Sequence, residues 1–161
     1  MSTAEFELIE TLLSKNATVA TAESCTGGMV AARLTSVSGA SGAFKYGAVT
    51  YCNEAKNAVL GVSAKTLGEH GAISAETAKE MAQGVRKIMG AEIGVSVTGN
   101  AGPGAADNKP VGLVFVGVSS DAYSSVLENH FEGDRLAVRE QAADAALELA
   151  LAAAKKLGEK I

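Results

Sequence analysis

Val19-Ala20-Thr21-Ala22-Glu23-Ser24-Cys25-Thr26-Gly27-Gly28 passes from a short apolar run into a helix-forming stretch, so Ser24 stands where a strand turns into a helix. The first amides of a helix have no partner within it and carry the positive end of the backbone dipole. The amides of Cys25, Thr26 and Gly27 are therefore candidates to hold a phosphate or a developing oxyanion, and Gly27 and Gly28 let another molecule approach the backbone. A plainer account has Ser24 or Thr26 capping the helix, with the glycines serving packing.

A second segment has the same form. Residues 44–50 read as a strand, and Tyr51-Cys52-Asn53-Glu54-Ala55-Lys56 follows, with Asn53 as the expected cap of a short helix closed by Gly61. Lys56 then falls in a first helical turn, where a positive charge opposes the dipole and the neutral amine is favoured. A neutral lysine is what a general base requires, and serine with a lysine base is a known variant of the catalytic triad. These residues alone also fit a solvated lysine and a tyrosine at a strand edge.

Together with Thr98-Gly99-Asn100-Ala101-Gly102-Pro103-Gly104 and Lys109-Pro110-Val111-Gly112-Leu113, the two segments resemble the C-terminal domain of the competence/damage-inducible CinA proteins, a domain that also occurs alone as nicotinamide-nucleotide amidase. The resemblance runs from about Leu8 to Leu157. It implies an amidohydrolase that converts nicotinamide mononucleotide to the nicotinate form with release of ammonia, in pyridine nucleotide salvage. Ser24 is implied as nucleophile, Lys56 as its base and Tyr51 as a hydroxyl that relays or orients the proton. Thr98 and Arg139 are implied to line the substrate site, and Arg139 with the Thr98-Gly99 amides are the candidates for the phosphate. The chain departs from the family's usual pattern at Cys52, Asn100, Ala105 and Ala106. A homodimer is also implied.

Composition sets bounds on the alternatives. A chain of 161 residues, 47% hydrophobic and 20% charged, suits a single compact domain over residues 1–161. The formal charge of −4 argues against a broad basic surface for nucleic acid. No apolar run approaches the ~20 residues of a membrane helix and no secretory leader is recognisable, so a cytoplasmic location is expected. Cys25 and Cys52 are expected as reduced thiols. Cys25 is itself a possible nucleophile, because a thiol at a helix N-terminus ionises readily. His70 and His130 belong to no ligand spacing, and neither a metal nor an organic cofactor is expected.

The remaining pattern gives the architecture. Helices are predicted over 4–14, with Phe6, Ile9, Leu12 and Leu13 on one face, and over 26–37. Ser63 and Ser74 are expected to cap two more, the second with Ala78, Met81, Ala82, Val85, Ile88 and Met89 inward. Asp134 is expected to cap the last, with Leu136, Ala143, Leu147, Ala150, Ala154 and Leu157 inward. Strands are predicted over 18–22, 44–50, 93–98, 111–119 and 124–131, the last two as an antiparallel hairpin. The expected fold is a three-layer α/β/α sandwich with a mixed, mainly parallel five-stranded sheet and the site at the strands' carboxyl ends. A non-catalytic partner-binding module, or an amidase for another small amide, is the rival expectation.

Overall fold

A computed structural model describes residues 3–159. The elements run α1 (Ala4–Ser14), β1 (Val19–Glu23), α2 (Met29–Thr35), β2 (Phe44–Val49), α3 (Asn53–Leu60), α4 (Ala64–His70), α5 (Ala75–Ile88), β3 (Ile93–Gly99), β4 (Leu113–Ser119), β5 (Ser125–His130) and α6 (Arg135–Lys156). The sheet order is β2-β1-β3-β4-β5. β1 is parallel to β2 and to β3, and β4 and β5 are antiparallel to their neighbours. This is the expected three-layer α/β sandwich, with α1, α2 and α6 on one face and α3, α4 and α5 on the other.

Central β1, β3 and β4 are buried almost throughout, and β4 accordingly reads as a near-continuous apolar run, whereas β1 and β3 also bury Thr21, Glu23, Ser96 and Thr98. Alanine governs the packing above them. Ala142, Ala143, Ala146, Ala150, Ala153 and Ala154 let α6 lie close on β3 and β4, with Val138 and Leu147 filling the gaps. A fully buried valine or leucine contributes roughly 1.5–3 kcal/mol.

Three helical faces differ from expectation at their ends. Phe6 and Leu13 are exposed, and α1 instead buries Leu8 and also Glu5, whose carboxylate pairs at 2.9 Å with Arg33 of α2. Ile88 and Met89 lie in the open, as does Leu136. The caps at Ser63, Ser74 and Asp134 are formed as expected, each side chain accepting an amide hydrogen from the residue three further on. Among the described residues, no helix is long and apolar enough to cross a membrane.

On the opposite face α5 packs against α3 at Gly84, where an added Cβ would stand 1.8 Å from the Leu60 carbonyl oxygen. Backbone cannot yield as a side-chain tip does. Gly84→Ala is therefore expected to lower stability by about 3 kcal/mol, measured by urea unfolding, and to impair activity by displacing the helix that carries Lys56. A protein as stable as the parent would contradict the close approach of α3 and α5.

Candidate active site

The parallel ladders extend one residue past the strands. Ser24 N–H donates to the Val97 carbonyl at 3.0 Å and Thr50 N–H to the Glu23 carbonyl at 2.8 Å. The pairing of Glu23 with both Val49 and Val97 then sets Thr50, Ser24 and Thr98 abreast at the carboxyl ends of the three parallel strands, on the face covered by α3 and α5.

The chain does not pass straight from Ser24 into a helix. Gly27 and Gly28 have φ of 58° and 108°, left-handed values that interrupt helical geometry, and α2 starts at Met29 instead of Thr26. The amides at its start are already used: buried Glu23 accepts from Val30 N–H at 2.9 Å and Ala31 N–H at 3.0 Å. The expected helix N-terminus at Thr26 is thus corrected: Cys25 and Thr26 belong to a turn that precedes α2. Gly27 N–H is spent on the Ser24 carbonyl at 3.0 Å, whereas the Cys25 and Thr26 amides have no acceptor elsewhere among the described residues.

Arg139 braces this turn. Its Nε donates to the Cys25 carbonyl at 3.0 Å and its Nη2 to the Thr26 carbonyl at 3.1 Å. In a trans peptide the N–H points opposite to the C=O, so holding the Cys25 carbonyl turns the Thr26 N–H away from the guanidinium. Arg139 is neither a solvated charge nor an ion-pair partner in this arrangement.

Lys56 reaches Ser24 from the first turn of α3, whose N-cap position is Cys52 and not the expected Asn53. Its side chain is enclosed, with 1% exposure, and Nζ lies 2.9 Å from Ser24 Oγ and 2.6 Å from the Thr50 carbonyl oxygen. Burial pushes its pKa below the usual lysine value of 10.5, against the opposing pull of Cys52, Cys25 and Asp107. The neutral amine is favoured because the ammonium loses its hydration. This excludes the solvated lysine that the sequence left open.

Cys25, also buried, has its thiol pushed up to about 11, chiefly by desolvation. It is a poor thiolate at neutral pH, which leaves Ser24 as the nucleophile candidate. Tyr51 is 60% exposed, and its hydroxyl meets neither Ser24 nor Lys56; it accepts from Arg135 Nη2 at 2.8 Å. Arg135 Nη1 donates to the Gly102 carbonyl at 2.6 Å, linking the segment after β2 to the loop after β3. Arg135 lies in no short motif, but its place four residues before Arg139 on one helix sets the two on the same face.

Thr98 and Gly99 do structural work in this arrangement. Thr98 Oγ1 donates to the Ala72 carbonyl at 2.7 Å, and a Cβ at Gly99 would stand 2.6 Å from Val114 Cγ2. Asn100 closes the long loop, its Oδ1 accepting from Gly102 N–H at 3.0 Å and its Nδ2 donating to the Lys109 carbonyl at 3.1 Å. Asp107 ties the loop's far end to Ala72 N–H at 3.1 Å.

Residues 1–154 match the CinA C-terminal domain family. A relative named putative competence-damage inducible protein, from Caldicellulosiruptor saccharolyticus, is 49% identical over 148 residues, covering 91% of this chain and 36% of its own. The chain thus spans about a third of the length of the curated relatives it matches. Among solved structures, a competence or damage-inducible protein from Enterobacter asburiae superposes with a TM-score of 0.90 at 32% identity, covering 94% of this chain and 96% of that one. The competence/damage inducible protein from Agrobacterium tumefaciens gives 0.86 at 36% identity, with 95% and 97% covered. Agreement of this kind across sequence and fold, over nearly the whole chain, means that the protein belongs to the CinA C-terminal domain family.

Proposed function

We propose that the protein is a serine amidohydrolase that deamidates nicotinamide mononucleotide. The observation that carries the reaction class is the buried Lys56 amine 2.9 Å from Ser24 Oγ. Neutral Lys56 takes the hydroxyl proton as Ser24 Oγ attacks the carboxamide carbon. The Cys25 and Thr26 amides receive the oxyanion, a contribution worth about 10²–10³ in rate per donor. Lys56 returns the proton to the departing nitrogen, which leaves as ammonia. Water then adds to the Ser24 ester with Lys56 again as base, releasing the acid and restoring the hydroxyl.

The choice of substrate rests on the family resemblance and not on a pocket. Arg139, against the Ser24 turn, and Arg135, one helical turn earlier against Tyr51 and Gly102, are the cations that support a phosphorylated substrate. Ammonia release from nicotinamide mononucleotide, with free nicotinamide as competitor, tests the proposal. Turnover of the nucleotide in preference to the free base is expected. Equal turnover of both would remove the phosphate from the recognition, and no ammonia from either would remove the substrate class.

A further inference from the structure

Among the described residues, three buried hydroxyls have no hydrogen-bond partner: Thr21, Thr26 and Thr50. An unpaired buried hydroxyl costs about 1–3 kcal/mol, so each asks for a reason. Thr21 alternates with Ser24 along β1 and so faces the other side of the sheet, beside Gly47. Thr26 sits in the braced turn. Thr50 is different, because it stands abreast of Ser24 and its own carbonyl already holds Lys56 Nζ at 2.6 Å.

We propose that Thr50 is a positioning residue for the base: its hydroxyl oxygen accepts a third hydrogen from Lys56 once that amine has become an ammonium. This rests on the Ser24–Lys56 reading above. A neutral amine has two N–H groups and one lone pair, whereas an ammonium has three N–H groups and no lone pair. Lys56 has two polar partners, Ser24 Oγ and the Thr50 carbonyl, so one N–H is without an acceptor in the neutral and the charged state alike, at greater cost in the charged one. The charged form needs a further acceptor inside an enclosed site, and Thr50 Oγ1 is an unused one on a residue that Nζ already touches. Such an acceptor strengthens selectively as charge develops, since hydrogen bonds to ionised groups are the stronger class. The ionisable groups facing Lys56 are Cys25 after β1, Cys52 at the start of α3 and Asp107 in the long loop. None of these supplies the missing acceptor, as Cys25 is a thiol at neutral pH and Asp107 is engaged with Ala72.

The test compares the parent protein with Thr50→Val and Thr50→Ser. The Lys56 titration is followed by NMR of protein labelled with ¹³Cε-lysine, alongside kcat/KM for ammonia release against pH. Loss of the acceptor destabilises the charged form. In Thr50→Val the Lys56 midpoint and the ascending limb of kcat/KM should therefore fall by about one pH unit, and the plateau by about tenfold. Thr50→Ser should restore both. An unmoved midpoint in Thr50→Val overturns the proposal, and so does lower activity with the midpoint in place, which would mark a packing role. Should valine prevent folding, Thr50→Ala supplies the same comparison. The NMR midpoint needs no substrate, so a shifted midpoint without ammonia release sustains the inference and rejects only the proposed substrate.

Discussion

Ser24→Ala is expected to lower kcat for ammonia release by about 10⁴-fold or more, with the unfolding midpoint close to that of the parent. The size follows from covalent chemistry: without Oγ there is no acyl-enzyme, and the amides of the turn have no tetrahedral intermediate to stabilise. The stability expectation follows from the contacts. Ser24 holds its place through the backbone, by its N–H to Val97 and its carbonyl to Gly27, and neither bond involves the side chain. Lys56 keeps the Thr50 carbonyl. Near-normal turnover in the variant would sink the mechanism, and mass spectrometry of a slow substrate should find the acyl group on the peptide containing Ser24.

Lys56→Arg is expected to be almost as damaging, with kcat/KM down by about 10³-fold or more, because a guanidinium stays protonated and cannot accept the serine proton. Retained activity would make Lys56 a charge anchor and not a base. The pH dependence has a definite sign. Only the neutral amine is active, and burial lowers its pKa from 10.5. The parent's kcat/KM should therefore rise with pH and level off below 10.5. Stability follows the same linkage. The folded protein releases this proton at lower pH than the unfolded chain, so burial of the ammonium costs stability below the folded pKa. That cost is relieved as pH rises toward the unfolded value. Lys56→Met should flatten this segment of the stability curve, measured by urea unfolding across the alkaline range.

Helix starts and strand ends were legible wherever a short-range signal was complete. Ser63, Ser74 and Asp134 announced their helices because a cap acts on an amide three residues away. The α2 boundary was misread for a local reason too. Thr26, Gly27 and Gly28 fit a helical pattern by position, but Gly28 serves as the left-handed N-cap and the start moves to Met29. Periodicity also overran the core: it could not show that α5 reaches solvent by Ile88, or that Leu136 lies at the open first turn of α6. Arg139 carried a charge that sequence alone assigns equally well to solvent, to a carboxylate or to a ligand. Its partners are backbone carbonyls of a turn more than a hundred residues away, which no local pattern encodes.

The sequence by itself determined the family through short motifs and the layered α/β architecture through helix and strand periodicity, and it marked Ser24 and Lys56 as candidates. Tertiary structure alone decided that the pair meets, 32 residues apart in sequence and 2.9 Å in space. It also decided that Lys56 is enclosed, that Glu23 occupies the start of α2, and that the Cys25 and Thr26 amides have no backbone acceptor among the described residues. Capping and side-chain alternation act over one turn or one strand, whereas desolvation and the choice of hydrogen-bond partner depend on what the completed sheet and helices bring from elsewhere in the chain.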